Sequence, residues 1–345
     1  MSGQPSRTAR TAAIALAITL AWASACTAGT VTRARWLMGT LWTAEATSPD
    51  TLAAGRALEA ALDTVASLEA ELSNWRPTSA LSRLNDAGAL DVLPASLGAV
   101  LDSALGFAAA TDGAFDPTVE SLVRAWDLRG SGRVPDARTL AEARARVDAR
   151  RIVLQRDASG TVRGADLHGT RIDLGGIGKG FALDRAAAVL VAHGLTQGAL
   201  DAGGQRLVLA DTATVWLADP RDRDRPAVAV LLSTRSIATS VQRERSLVVR
   251  GRRVGHILDP RTGEPVPGEA AVSVAAASGT RADAHSTALL VMGREAAHAY
   301  ALAHPELGVL WLEPRGRALV AHAWNLTVVA LAPGVRLADP TPRSR

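Results

Sequence analysis

Apolar positions in the first 150 residues recur at helical spacing. Between residues 51 and 72 they repeat every three or four positions, which predicts an amphipathic helix. Its apolar stripe consists of Leu58, Leu62, Val65, Leu68 and Leu72. The same criterion predicts shorter helices over residues 79–85, 97–110, the segment that begins at Pro117, and 138–150. The first part of the chain is therefore expected to be mainly helical.

From residue 151 the pattern changes to short apolar runs that are typical of strands. Strands are predicted over residues 151–155, 170–174, 206–210, 214–218, 227–232, 246–250, 271–277, 308–312 and 326–331. Two helices interrupt them, over 179–193 and 283–292. Helices cluster early and strands late, with little regular alternation of strand and helix. This order favours an α+β fold over a doubly wound parallel sheet.

The N-terminus has the pattern of an export signal. Arg7 and Arg10 precede an apolar run from Ala12 to Ala25, which is shorter than the roughly 20 residues that a membrane-spanning helix requires. Cys26 is the only cysteine, and it follows small residues as the acylated cysteine of bacterial lipoproteins does. The alternative is an ordinary cleaved signal with an incidental cysteine. We expect an exported protein, lipid-anchored to the bacterial inner membrane and facing the periplasm.

These features divide the chain into four segments. We predict a lipoprotein-type signal peptide over residues 1–25, a short tether over 26–35, a catalytic domain over 36–332 and a polar C-terminal tail over 333–345. No internal repeat and no low-complexity linker interrupts the third segment in the sequence. We therefore expect one compact unit after the signal.

The charge composition argues against nucleic-acid binding. The 345 residues include 38 Lys and Arg against 34 Asp and Glu, for a net charge of +4, although the sequence pI is about 10.3. Lys179 is the only lysine. Because arginine does not titrate in the usual range, the pI is high without a large excess of positive charge. The arginines are dispersed among acids, with no basic stripe between aromatic residues, so no nucleic-acid partner is expected.

The glycine-rich stretch DLGGIGKG, at residues 173–180, is the most informative motif. Its glycines let backbone N–H groups approach an anion, and the N-terminus of the following helix favours negative charge. It is not a Walker A loop, because Gly180 stands where Ser or Thr is required. It is not a dinucleotide fingerprint, because Phe181 replaces the third glycine. Lys179 indicates function, since a compact ammonium differs from a guanidinium; a purely structural turn is the alternative.

Two later segments carry further candidate groups. HILDPRTG, at residues 256–263, places His256 beside a tight polar turn. The segment 281–293 begins a helix in which Asp283 and Thr287 lie four residues apart and therefore on one face. A carboxylate and a hydroxyl at that spacing can hold a hard cation, which prefers oxygen ligands. The alternative for Asp283 is a helix cap.

Seven segments in this order resemble the ApbE family, the bacterial FAD:protein FMN transferases. The segments are MGT at 38–40, LSNWRPTSALSRLN at 72–85, TDGAFDPTV at 111–119, DLGGIGKGFALD at 173–184, SIATS at 236–240, HILDPRTGEPV at 256–266 and RADAHSTALLVMG at 281–293. The resemblance covers roughly residues 36–330. It implies a T-fold-like α+β fold that binds FAD between its two halves. Family members are typically exported and often lipid-anchored, in agreement with the interpretation of Cys26.

The resemblance also implies an activity and a set of site residues. The family uses Mg²⁺ to cleave the FAD pyrophosphate and transfers FMN to a Thr or Ser hydroxyl of a target protein, with release of AMP. The implied FAD-binding residues are Met38, Trp75, Ala114, Phe115, Asp116, Asp173, Lys179 and Leu258. The implied Mg²⁺ ligands are the Gly176 carbonyl, Asp283 and Thr287, with Ser286 at a position that supplies a further ligand in some members.

Three residues are assigned catalytic roles on this basis. Asp283 would hold the metal, Lys179 would stabilise charge on the diphosphate, and His256 is the candidate base or orienting group for the acceptor hydroxyl. Water in place of the hydroxyl would make the protein a Mg²⁺-dependent FAD pyrophosphatase that gives FMN and AMP. A non-catalytic, lipid-anchored FAD-binding protein is the alternative from another class.

The chain departs from the family pattern at the substrate pocket. Val241 and Arg243 stand where a glycine and a tyrosine usually follow SIATS, and DAGGQ at 201–205 replaces Asn-x-Gly-Gly-Asp. Trp75 stands where Tyr is common; the indole keeps a stacking face but moves the polar atom.

Overall fold

The computed structural model describes residues 28–232, 236–243, 246–249 and 251–338. The helices within these residues are α1 (Thr51–Leu72), α2 (Ala80–Ala87), α3 (Ala95–Ala110), α4 (Glu120–Ala125), α5 (Ala137–Arg144), α6 (Gly178–Ala192), α7 (Gly279–Met292) and α8 (Arg294–Ala303). The strands are β1 (Gly29–Leu37), β2 (Thr40–Ser48), β3 (Ala89–Leu90), β4 (Val153–Arg156), β5 (Val162–Asp166), β6 (Gly198–Ala202), β7 (Gln205–Val208), β8 (Ala213–Asp219), β9 (Asp222–Leu232), β10 (Ser236–Val241), β11 (Leu247–Val249), β12 (Arg252–Val254), β13 (Ala271–Ala276), β14 (Gly308–Arg315), β15 (Ala318–Trp324), β16 (Thr327–Leu331) and β17 (Val335–Leu337).

A nine-stranded sheet forms the centre of the fold. Its strand order is β1-β2-β6-β7-β10-β13-β14-β15-β17, and its pairs are antiparallel except β15 with β17. Three smaller sheets surround it, in the orders β16-β9-β8, β3-β5-β4 and β11-β12. A sheet with one helical face and one sheet face is an α+β arrangement, so the predicted fold class is confirmed.

The two faces of the main sheet are covered differently. Helices α1, α6 and α7 pack on one another and on one face, where they bury the larger apolar core. The other face carries the sheet β16-β9-β8, whose Val228, Val230 and Leu232 form a second core with Ile237 and Leu310 of the main sheet. The helical face holds the residues described below as the candidate site.

Local sequence explains the first helices. The predicted apolar stripe of α1 is buried, and the Asp50 side chain caps its first turn by accepting from the Ala53 amide at 2.8 Å. Helix α2 is capped by Ser79 and ends at Gly88, whose φ of 78° is the left-handed conformation that glycine adopts without strain. The predicted helix over 138–150 ends earlier, at Arg144.

One predicted strand is wrong. Residues 170–174 run without strand pairing, because side chains and single carbonyls of loop residues bond their backbone in place of a neighbouring strand. The Ile172 amide donates to Asn85 Oδ1 at 2.6 Å, and the Ile172 carbonyl accepts from the amide groups of Asn74 and Asn85 at 3.0 and 2.8 Å. The segment is therefore an extended support for the glycine-rich turn that follows it.

The structured unit extends past both predicted domain boundaries. Strand β1 begins at Gly29, inside the segment expected to be a tether, and it pairs with β2 over its whole length. Strand β17 lies inside the expected tail and pairs with β15. Both strands alternate polar with apolar residues, so their place at the sheet edges does not show as an apolar run in the sequence.

The signal peptide and Cys26 lie outside the described residues. Among the residues that are described, none of the helices has the length and apolarity required to cross a membrane.

Candidate functional site

A cavity of about 750 Å³ opens where the ends of several elements meet. It is lined by the β1–β2 and β6–β7 turns, the end of β10, the first turn of α6, and Asp283 and Thr287 of α7. The volume is within the range of sites for small-molecule ligands. The residues predicted for the site that line it are Met38, Trp75, Ala114, Phe115, Asp116, Asp173, Gly176, Lys179, His256, Leu258, Asp283 and Thr287.

Asp283 lies on the floor of this cavity and is only 2% exposed. Its carboxylate accepts from the Gly180 amide at 3.0 Å and from Gln205 Nε2 at 2.6 Å. Burial raises the pKa of Asp283, and the nearby positive charge of Lys179 acts against that rise. The carboxylate is thus held in one position and lacks a direct ion-pair partner among the described residues.

Close packing of α6 against α7 fixes the position of Asp283. A Cβ at Gly180 would lie 2.1 Å from the Gly279 carbonyl oxygen and 2.7 Å from Asp283 Cβ, so only glycine allows this approach. The Asp184 carboxylate of α6 accepts from the amides of Gly279 and Thr280 at 2.7 and 2.9 Å and so caps α7. The capped helix carries Asp283 one turn further in.

Thr287 and the glycine-rich turn bring further oxygen atoms to the cavity. A Cβ at Gly176 would lie 3.0 Å from Thr287 Oγ1, which shows how closely the backbone of the glycine-rich turn approaches that hydroxyl. Gln205 Oε1 is buried and has no hydrogen-bond partner among the described residues. The described residues contain no group of three or more His, Cys, Asp or Glu suited to a metal. A metal here would therefore depend on one carboxylate with hydroxyl and carbonyl oxygens, which suits a hard divalent cation.

Ser286 is the one predicted site residue that does not line the cavity. Its side chain is fully buried, and its hydroxyl donates to the Asp283 carbonyl at 2.9 Å. The Ser240 hydroxyl lies 2.8 Å from it and 3.3 Å from Thr287 Oγ1. The Ser286 side chain therefore supports the backbone of α7 behind the floor, and the structure does not bring it to the proposed ligand position.

The glycine-rich turn presents the N-terminus of α6 to the cavity. Helix α6 begins at Gly178, and no side chain caps its first turn. Lys179 is half-buried at this position and lines the cavity beside Asp283. The positive end of the helix and the ammonium group give this wall a positive potential that suits a phosphate group.

The mouth of the cavity is built from side chains on turns. Trp75 is 65% exposed, and the Arg129 guanidinium lies 5.9 Å from the centre of its ring. Arg129 pairs with Glu120, donating to its two oxygens at 2.8 and 2.5 Å, and also with Asp173. Burial acts to lower the pKa of Arg129, but the two carboxylates outweigh it and the pKa is raised. This network keeps Arg129 and Asp173 in place under Trp75.

Met38 reaches the mouth from a strained turn. Leu37, the last residue of β1, pairs with Thr40, the first residue of β2, so Met38 and Gly39 form a two-residue hairpin turn. Their φ angles are 51° and 73°. Two positive φ angles are typical of a type I′ turn, and a methionine rarely adopts this conformation. Such strain at a cavity is a common mark of a functional position.

The remaining predicted residues also line the cavity. Phe115 packs beside Gly176, and Asp116 accepts from the Thr118 amide at 2.7 Å, so Asp116 organises its own turn. Burial raises the pKa of Asp116. His256 and Leu258 line the wall from the segment that leads into the predicted polar turn.

Arg129 and Gln205 are site residues that the sequence did not reveal. Arg129 lies in a loop between helices and bonds Asp173 from 44 positions away; only a structure brings the two together. Gln205 was noticed as a departure from a family motif, but its contact with Asp283 spans 78 positions. No local pattern identifies such pairs.

Comparison with known proteins shows sequence similarity over most of the chain. The model of the ApbE family matches residues 38–311. The FAD:protein FMN transferase of Treponema pallidum is 35% identical over 284 residues, which cover 76% of this chain and 78% of that protein. The FAD:protein FMN transferase of Salmonella typhimurium is 30% identical over 275 residues, which cover 75% of this chain and 78% of that protein.

Solved structures agree with the sequence relatives. The ApbE protein of Thermotoga maritima superposes with a TM-score of 0.74 at 28% identity, over 82% of this chain and 94% of that one. The flavinyl transferase ApbE of Pseudomonas stutzeri, in its apo form, has the same fold, with a TM-score of 0.74 at 24% identity over 86% and 95%. The family predicted from the motifs is confirmed, and the chain belongs to the ApbE family.

Proposed function

We propose that the protein is an FAD:protein FMN transferase that depends on Mg²⁺ and attaches FMN to a Thr or Ser hydroxyl of an acceptor protein. The names of its relatives support the transferase activity. The observation that carries the proposal for this chain is the buried Asp283 beside Thr287 and Gly176 on the floor of a ligand-sized cavity. A binding protein would not require a buried carboxylate in such a position.

FAD would lie along the cavity from mouth to floor. Trp75 and Met38 would contact the flavin nucleotide, because the exposed indole offers a flat apolar face. The pyrophosphate would lie against Lys179 and the first turn of α6, where an ammonium group and a helix N-terminus favour negative charge. Phe115 and Leu258 would line the walls between them.

The floor residues fit Mg²⁺. Asp283 and Thr287 would hold it with the Gly176 carbonyl, and the unpartnered Gln205 Oε1 lies beside the same carboxylate. When bound, Mg²⁺ neutralises charge on the pyrophosphate oxygens and polarises the phosphorus under attack. The Gly180 amide and Gln205 Nε2 orient the Asp283 carboxylate for this task.

The transfer joins the acceptor oxygen to the flavin-side phosphorus of FAD. As that P–O bond forms, the bond from this phosphorus to the bridging oxygen breaks, and AMP leaves with the bridging oxygen. His256 would take the proton of the attacking hydroxyl. Lys179 would stabilise the charge that develops on the leaving phosphate. The product is a protein with FMN in phosphoester linkage.

A mass-spectrometric assay tests the proposed function. Purified protein is incubated with FAD, Mg²⁺ and a Thr-containing acceptor domain, and we expect the acceptor to gain the mass of FMN with release of AMP. Free FMN and AMP without a modified acceptor would instead indicate a pyrophosphatase. Unchanged FAD would indicate a binding protein. Glu142→Ala, which removes an exposed carboxylate from α5, is the matched control for variants of Asp283.

We further propose that the protein is exported and held to the inner membrane, facing the periplasm, by an acylated Cys26. The support is the basic and apolar pattern of residues 1–25. Cys26→Ala is expected to move the protein from the membrane fraction to the soluble fraction on cell fractionation. Wild-type protein with a mature terminus other than residue 26 would contradict the lipid anchor.

A further inference from the structure

A second cavity, of about 670 Å³, lies beside the first. It is bounded by Thr214–Asp219 of β8 and by the Ile237, Thr239 and Val241 side of β10, and we call it the arginine-lined groove. Gly203, Thr239 and Val241 line both cavities. The groove and the cavity that contains Asp283 therefore adjoin at these three residues.

One wall of the groove is the edge of a sheet. Strand β8 is the last strand in the order β16-β9-β8, so its outer edge pairs with no strand in the part of the chain that the structure describes. Its seven residues span about 23 Å in extended form. The backbone N–H and C=O groups of an open edge can pair with an added strand. Trp216, half-exposed at 51%, lies in the middle of this edge strand.

The groove carries an excess of positive charge. Four arginines and two aspartates line it; the arginines are Arg206, Arg221, Arg223 and Arg243. Arg221 is neutralised by Asp219, which it contacts at 2.9 and 2.7 Å. Arg206 and Arg243 have looser partners, at 3.3 and 3.6 Å, in Glu45 and Glu269.

Arg223 is the least compensated of the four. It forms no ion pair within 4 Å among residues 28–232, 236–243, 246–249 and 251–338. An open strand edge beside Arg223 and the longer ion pairs of Arg206 and Arg243 is complementary to an extended segment that contains acidic side chains.

We propose that the arginine-lined groove binds the acceptor protein, by the extended, acidic segment that carries the Thr or Ser to be modified. The segment adds to the edge of β8 and runs past Gly203 into the first cavity. The turn at Gly203 and Gly204 has no side chains. A Cβ at Gly203 would lie 2.1 Å from Thr40 Oγ1, whereas a Cβ at Gly204 would meet no atom within 4 Å, so the free space at this turn lies on its Gly204 side. The inference rests on the proposed transferase activity, because only a protein acceptor needs a path for a polypeptide.

Charge reversal in the groove tests this inference with the full enzyme. Arg223→Glu is expected to raise KM for the acceptor at least ten-fold, while kcat at saturating acceptor and KM for FAD change less than two-fold. Trp216→Ala is expected to raise KM for the acceptor about three-fold. Arg56→Glu, on the exposed face of α1 and outside both cavities, is the matched control and should leave all three constants unchanged.

Hydrogen exchange gives an independent readout. Amides of Ala213–Asp219 are expected to gain protection when the acceptor domain is added, and those of the exposed β4–β5 turn are not. If the enzyme transfers FMN normally but the acceptor KM is unchanged in both variants, or β8 gains no protection, the assignment of the groove to the acceptor is wrong. The proposed function would still stand. A wild-type protein that transfers FMN to no acceptor would overturn both.

Discussion

The floor and the mouth of the first cavity are built in opposite ways. On the floor, Asp283 is buried and accepts hydrogen bonds from Gly180 and Gln205. It belongs to α7, which is in direct backbone contact with α6. At the mouth, Trp75 is mostly exposed and is positioned by the ion-paired Arg129 on a turn. The buried Asp283 side chain on the floor has little freedom to move, whereas the exposed Trp75 side chain at the mouth can adjust. Groups that must meet a reacting phosphorus are thus rigid, whereas groups that recognise a flat ligand sit on adaptable elements.

Loss of the floor carboxylate is expected to have the largest effect. Asp283→Ala should lower Mg²⁺-dependent FAD turnover by about 10³-fold or more, equal to about 4 kcal/mol, because the remaining proposed ligands are uncharged. FAD binding at the mouth should persist. Steady-state rates over a Mg²⁺ titration, with FAD binding by fluorescence, measure both. Wild-type turnover at limiting Mg²⁺ would show that the metal is held elsewhere.

The contact between α6 and α7 is the next test, and it addresses stability. Gly180→Ala places a methyl group against the Gly279 backbone, so we expect a loss of about 3 kcal/mol in the free energy of unfolding. Gly106→Ala in α3 is the control, because a Cβ there meets nothing within 4 Å. It should stabilise the protein by about 0.5–1 kcal/mol. Denaturant unfolding measures the free energy of unfolding of both variants. Equal values would mean that α6 and α7 can move apart to accept the methyl group without loss of stability.

Lys179→Arg tests the wall between floor and mouth. The wider guanidinium should fit poorly beside the pyrophosphate, and we expect turnover to fall about ten-fold, or about 1.4 kcal/mol. The melting temperature should barely change. Arg138→Lys, on the exposed face of α5, is the reciprocal control and should be silent. Unchanged kinetics for Lys179→Arg would mean that Lys179 supplies only surface charge.

Substitution at the mouth is expected to have the smallest effect. Trp75→Ala should weaken FAD binding about five-fold, or about 1 kcal/mol, because the stacking face is lost. Trp75→Phe should recover most of the affinity. Fluorescence titration of FAD against both variants is the measurement. A thousand-fold loss of FAD affinity in Trp75→Ala would show that the mouth contributes as much as the floor is expected to, and it would contradict the contrast between them.

Sequence periodicity was sufficient to predict those elements whose structure depends only on the spacing of their own residues. The stripe from Leu58 to Leu72 predicted α1 because helical spacing is local, and the four-residue spacing of Asp283 and Thr287 placed both on one face of α7 for the same reason. Lys179 was identified by composition alone, as the single lysine in an arginine-rich chain. The ordered motifs identified the family, and the family comparisons confirmed it.

Tertiary structure decided what depends on residues far apart in the chain. Residues 170–174 read as a strand but are held by Asn74 and Asn85, and the edge strands β1 and β17 had no apolar run to mark them. Gly180 and Asp283 meet across 103 positions, and the open edge of β8 exists only because β9 covers its other side. Such contacts arise when the sheet and helices close on a common core, and no local spacing of side chains encodes them.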